Sequence, residues 1–115
     1  MSDRTTTDVE RLLANSDLVF AVLHNDTLAA FARVLTDHTY VALLLDVIVA
    51  ERHRGTGVGA VLLDAVVNHP ELIGVRSLEL VCQPDVMPFY RRWGFTDQVG
   101  TSHLMRRTTD GRLTG

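Results

Sequence analysis

Apolar and polar positions along this chain change period several times, and each change marks an element. Val9, Leu12 and Leu13 share a helical face behind Thr7-Asp8-Val9-Glu10, a capping box in which the Thr7 hydroxyl accepts from first-turn amides and Glu10 reaches back. This predicts a short first helix. Leu18 to His24 is apolar and β-prone, Asn25-Asp26 offers a tight turn, and Leu28 to Leu35 resumes the strand pattern, which predicts an antiparallel hairpin. Asp37-His38 marks the next turn. Tyr40 to Val49 is almost continuously apolar, the pattern of a central strand covered on both faces.

From Gly57 the period becomes helical, with Val58, Val61, Leu62, Ala65 and Val66 recurring until Asn68-His69-Pro70 stops the run. Ser77 to Cys82 alternates as a strand. Asp85 is placed to cap a further helix through Arg92, and Gly94 suits a left-handed C-terminal cap. Ser102 to Arg107 reads as a closing strand, with a loose tail beyond it. The predicted order is helix, three strands, helix, strand, helix, strand.

Composition narrows the class. The 115 residues are one domain's worth, and 46% hydrophobic with 22% charged residues is ordinary for a soluble globular protein. No apolar run is long enough to cross a bilayer, and the start of the chain lacks the apolar core of a signal peptide. A single cysteine, Cys82, cannot form an intramolecular disulfide, so a cytoplasmic location is expected. The net charge of -3 gives no broad basic field for a nucleic-acid backbone. Any phosphate-bearing ligand is then expected to be small.

The most informative segment is Arg54-Gly55-Thr56-Gly57-Val58-Gly59, where a strand runs through a glycine-rich turn into an amphipathic helix. Unpaired amides and the positive helix end converge there, which suits an anion. The alternative is a connection that uses its glycines only for tight geometry. A P-loop requires a lysine, and this sequence contains none. A dinucleotide fingerprint requires Gly-x-Gly-x-x-Gly opening a βαβ unit, whereas the spacing here is Gly-x-Gly-x-Gly after a hairpin.

With those excluded, the segment from Val47 to Ala60 resembles the acyl-CoA signature of the GNAT N-acetyltransferase family, Arg/Gln-x-x-Gly-x-Gly/Ala, with Arg52, Gly55 and Gly57 filling it. Pro88 to Phe95 is similar to the family's late Tyr-x-x-x-Gly-Phe pattern, and the two motifs fall in the family's order. The resemblance covers roughly residues 8 to 107 of a single domain spanning 1–115. It implies an α/β fold of the α+β type. The sheet would be mixed and mostly antiparallel, with helices on both faces and one splayed strand pair that holds the cofactor.

The same resemblance implies N-acetyl transfer from acetyl-CoA to a primary amine of a small molecule or peptide by direct attack, without a metal. Main-chain groups of Val47 and Val49 would hold the pantetheine arm. Amides of Arg54, Gly55, Thr56, Gly57, Val58, Gly59 and Ala60 would cradle the pyrophosphate, and Gln83 stands where many members carry a cofactor-orienting asparagine. Tyr90 would be the general acid, and the amide of Val47 or Ile48 would face the oxyanion. A packing aromatic is the alternative for Tyr90. Asp46 interrupts an apolar strand and is either the general base or a carboxylate paired with an arginine or a backbone amide. The other functional class left open is a CoA-binding sensor or partner module without turnover.

The five histidines are scattered singly with no metal-ligand spacing, and Cys82 reads as core. Compared with the family pattern, only Thr7 to Asn15 precedes the hairpin, so the acceptor side is expected to be reduced and one sheet edge uncovered. A homodimer covering that edge is the corresponding expectation.

Overall fold

A computed structural model describes residues 6–115, without side-chain detail for residues 6–8 and 12. The expected capping box at Thr7 and the Leu12 part of the first apolar stripe lie outside the described residues. Helix α1 spans Thr6–Ala14, and strands β1 (Leu18–His24), β2 (Thr27–Thr36) and β3 (Val41–Val49) follow. Helices α2 (Val58–Val67) and α3 (Pro70–Ile73) precede β4 (Ser77–Leu80) and α4 (Met87–Arg91). The sheet runs β1-β2-β3-β4, antiparallel in its first two pairs and parallel in the last. It is the expected α+β arrangement with a mixed, mostly antiparallel sheet.

The hairpin closes at Asn25-Asp26, where φ values of +50° and +63° match the left-handed backbone that a two-residue turn needs and that Asn and Asp tolerate. At the β2–β3 turn the Asp37 carboxylate does the ordering. Its Oδ1 accepts from the amides of Thr39, Tyr40 and Val41 at 2.9, 2.8 and 3.1 Å. These amide bonds lower the Asp37 pKa.

The core lies between the sheet and α2. Phe20 stands opposite Ala32, Val22 opposite Ala30, and Val34 opposite Leu44, so these side chains share one face. Onto it α2 lays Leu62, Leu63 and Val66, all at 0% exposure. The small residues Ala30, Ala32 and Ala42 let that helix approach closely. Val61, expected on the buried face, is instead 55% exposed. The buried stripe is rotated toward Gly59, Leu62, Leu63 and Val66 because Gly59 sits against α4 rather than at the edge of the core.

Three further differences from the sequence expectation have local causes. His69-Pro70 ends α2 but also starts α3: the His69 imidazole accepts from the Glu71 amide at 3.1 Å, and Pro70 occupies the first turn, where no donor is needed. The helix expected from Asp85 begins as a 3-10 turn over Pro84–Val86, with α-helix only from Met87. Pro88 has no N–H to give to the Pro84 carbonyl, so an α-helical ladder cannot start earlier. Asp85 forms no side-chain cap there.

The expected strand at Ser102–Arg107 is absent. Adjacent Leu104 and Met105 point into solvent, and without a paired neighbour or a face to bury them nothing repays the ordering of an extended chain. The segment beyond forms a small 3-10 turn at Gly111–Leu113, held by its own Asp110–Arg112 bonds and by Arg106 Nη1 donating to the Leu113 carbonyl at 2.8 Å.

Candidate functional site

β3 and β4 pair only from Val41–Ser77 to Leu44–Leu80, and then they part. On the β3 side the cause is a bulge. The β2–β3 register passes from Leu45 opposite Arg33 to Ile48 opposite Phe31, so Asp46 and Val47 together oppose Ala32. Asp46 takes a φ of +54° to make it. On the other side β4 is followed by Cys82-Gln83-Pro84, and Pro84 has no amide to continue a ladder.

Between the diverging strands lies a cleft of about 400 Å³ lined by Asp46 and Val47 from β3, Cys82 and Gln83 after β4, and Tyr90 from α4. Tyr90 is 8% exposed, with its ring set edge-on to Phe89 and Phe95 at 5.2 and 5.9 Å between centroids. Burial, and secondarily the neighbouring Cys82, push its pKa above the usual 10.0. The phenol therefore stays protonated at neutral pH, as a proton donor must.

Asp46 is already engaged. Arg33 Nε donates to its Oδ2 at 2.5 Å with both side chains largely buried, and Arg33 Nη1 reaches Ser16 Oγ at 3.5 Å. Of the two readings of Asp46, the structure displays the paired carboxylate. Arg33 was not singled out from the sequence, although the signal was present: it interrupts one apolar strand as Asp46 interrupts the next.

β3 ends where the Ala50 amide donates to the Ala29 carbonyl at 2.8 Å, and a 3-10 turn over Glu51–His53 leads into the glycine-rich segment. Gly55 and Gly57 take φ values of +78° and +90°, and a Cβ on either would meet no atom within 4 Å. These two glycines are needed for backbone shape, and the space beside them is open. The third glycine has another reason. A Cβ on Gly59 would stand 3.3 Å from Phe89 Cζ and 3.7 Å from Val49 Cγ2, so Gly59 permits close packing between α2, α4 and the end of β3.

Gly57 caps α2 without any side-chain bond, and the amides of Gly57, Val58, Gly59 and Ala60 have no acceptor among the described residues. They form a cluster of donors at the positive end of a ten-residue helix. The Thr56 hydroxyl and amide both turn back to the His53 carbonyl, which tightens the turn. Exposed Arg54 donates from Nε to the Val49 carbonyl at 3.4 Å, and Arg52 is also exposed.

The predicted residues thus fall into two joined groups. Asp46, Val47, Gln83 and Tyr90 surround the cleft, while Arg54 to Ala60 form the glycine-rich turn with its unpaired amides, and Ile48 with Val49 carries β3 from one to the other. Such a site suits an elongated ligand with an anionic end and a reactive end. Trp93, just after α4, donates from Nε1 to Asp64 Oδ1 of α2 at 2.8 Å and so ties the end of α4 to α2.

Comparison with known proteins gives a concordant result. Relatives include an uncharacterised N-acetyltransferase, ycf52, of Pyropia yezoensis, 28% identical over 91 residues that make up 76% of this chain and 52% of the relative. Another is the chloroplastic GCN5-related N-acetyltransferase 1 of Arabidopsis thaliana, 29% identical over 80% of this chain and 48% of the relative. The chain thus spans about half the length of the curated relatives it matches. A crystal structure from Xanthomonas campestris pv. campestris assigned to the GNAT family superposes with a TM-score of 0.78 at 39% identity, covering 87% of this chain and 69% of that one. Glucosamine-6-phosphate N-acetyltransferase of Arabidopsis thaliana shares the fold alone, with a TM-score of 0.74 at 18% identity over 96% of this chain and 82% of that one. The profile of the Acetyltransferase (GNAT) family matches residues 2–95, and the chain belongs to that family.

Proposed function

We propose that the chain transfers an acetyl group from acetyl-CoA to a primary amine of a small molecule or peptide. The observation that supports this most directly is the continuity of the β3–β4 cleft with the unpaired amides at the start of α2. An arm lying in the cleft would extend the sheet at the unpaired edges of β3 and β4. Its pyrophosphate would meet the amides of Gly57 to Ala60, with Arg54 adding charge. The reactive end would then lie beside Tyr90. The phenol, kept protonated by burial, gives its proton to the departing thiolate, and an amide at the Asp46–Val47 bulge faces the oxygen that gains charge.

Two measurements test this reading. Acetyl-CoA at ~100 times its dissociation constant is expected to add about 2.7 kcal/mol of stability, which raises the melting temperature by several degrees. Absence of any shift would remove the cofactor. Acceptor-dependent CoA release over a panel of amines is expected to fall about 10²- to 10⁴-fold in Tyr90→Phe while acetyl-CoA affinity is retained.

A second reading, a CoA-binding module without turnover, is favoured by one observation: Asp46, the one carboxylate lining the cleft among the described residues, is held by Arg33. A melting shift without amine-dependent CoA release would select it.

Two further proposals belong with this function. A cytoplasmic location is supported by the lone cysteine, and no helix among the described residues is long and apolar enough to cross a membrane. The name of the Arabidopsis relative places that protein in the chloroplast. A homodimer is supported by β1 being an outer strand with exposed Val19 and Leu23. Sedimentation as a monomer at micromolar concentration would remove it.

A further inference from the structure

We propose that Cys82 is a modification site at which the chain captures CoA-type thiols as a mixed disulfide formed inside the β3–β4 cleft. The inference rests on the reading that this cleft takes the CoA arm. Two independent observations carry it. The first is the position of the thiol. Leu78, Leu80 and Cys82 alternate onto the core-facing side of the chain, but Cys82 lies beyond the last paired position, Leu80, is only half-buried, and lines the cleft as well as packing against the core.

The second observation is Tyr90. The residue is 8% exposed, and its hydroxyl makes no hydrogen bond to another described residue. No enclosed polar side-chain atom is left unsatisfied there, so the hydroxyl opens into the cleft that Cys82 also lines. A donor at the cleft wall with no protein partner is open to an acceptor on whatever occupies the cleft. Cys82 contributes to the raised pKa of Tyr90, which sets thiol and phenol within electrostatic reach. A sulfur that accepts from Tyr90 would therefore lie near the Cys82 sulfur.

The chemistry balances without an added oxidant other than the disulfide itself. With CoA disulfide as co-reactant, the Cys82 thiol loses its proton to solvent and the thiolate attacks the nearer sulfur. One S–S bond breaks as the Cys82–CoA bond forms, and the second CoA leaves as a thiolate that takes up a proton. Cys82 is the only cysteine in the chain, so no internal thiol can resolve the adduct. It would persist until an external thiol reduced it, and meanwhile it would fill the cleft and exclude acetyl-CoA.

The test uses the reduced 115-residue chain with CoA disulfide, with glutathione disulfide as a control that offers the same reaction without the nucleotide, and with desulfo-CoA as a competitor that cannot react. Intact-mass measurement follows the adduct. The CoA adduct is expected to form about ten-fold or more faster than the glutathione adduct at equal concentration, to be slowed by desulfo-CoA, and to be reversed by dithiothreitol. Equal rates for the two disulfides, or no protection by desulfo-CoA, would overturn the proposal. The same samples separate the two levels of argument. If desulfo-CoA raises the melting temperature but gives no protection, the cofactor reading stands and the Cys82 proposal falls. If it gives neither, both fall.

Discussion

Neutralising Asp46 distinguishes a catalytic role from an architectural one. In Asp46→Asn the shape is kept and the charge is removed from a pair whose heavy atoms stand 2.5 Å apart with side chains 14% and 16% exposed. Hydrogen bonds to charged groups contribute about 1.5–3 kcal/mol, against about 0.2–1 for an exposed ion pair. The low exposure here argues for the upper range. For a chain of this length each kcal/mol moves the melting temperature by roughly 3–6 °C, so Asp46→Asn should melt about 5–15 °C lower.

A double-mutant cycle with Arg33→Gln, read by urea unfolding, should give a coupling of about 1–2 kcal/mol. A coupling under about 0.5 kcal/mol would refute a stabilising role for the pair. Turnover supplies the second half of the experiment. If Asp46 acts by positioning, Arg33→Gln and Asp46→Asn should depress acetyl transfer to a similar extent. If Asp46 is the base, Asp46→Asn alone should lose about 10²- to 10⁴-fold, and the positioning account fails.

Other substitutions test other links. Gly57→Ala places a Cβ on a backbone at φ +90° and should cost about 1–2 kcal/mol in chemical denaturation, with Gly57→Asn milder; equal stability of all three would contradict the left-handed cap. Leu62→Ala, at a position with no exposure, should cost about 2–5 kcal/mol, and a loss below about 1 kcal/mol would place the core elsewhere. For Asp37 the folded pKa is lowered, so its stabilising effect is complete above the ordinary value of 3.8 and is lost as pH falls from there through the folded value. Melting temperatures should therefore drop more steeply below about pH 4 in the parent chain than in Asp37→Ala. Parallel curves would show that the carboxylate does not order the turn.

The local elements were legible wherever a local rule decides them. Asn25-Asp26 dictated its hairpin because few residues accept left-handed backbone; Gly94, expected as the cap of α4, takes a φ of +87° in the turn that follows, while α4 itself ends at Arg91 with Arg92 as its cap. The glycine-rich turn was equally readable, since a strand, two backbone-permissive glycines and a helix start are contiguous in the chain. The closing strand was not, because Ser102–Arg107 carries strand-like residues while a strand exists only where a neighbour pairs with it.

Tertiary structure alone decided how the pieces of the site meet. Arg33 and Asp46 each interrupt an apolar strand, of which only Asp46 was read from the sequence, and only the β2–β3 register made them a pair. Gly59 read as part of a phosphate turn, and only the approach of Phe89 showed that its missing side chain serves helix packing. Cys82 read as core and does pack against it, and only the parting of β3 from β4 also set it on the wall of a cleft with Tyr90. Backbone conformation is set by neighbours in the chain, and so the sequence by itself determined the glycine-rich turn, the hairpin and the elements from β1 to α2. A cleft is made by residues distant in the chain, here 46, 82 and 90, and their meeting depends on a bulge and on helix packing that no local pattern encodes.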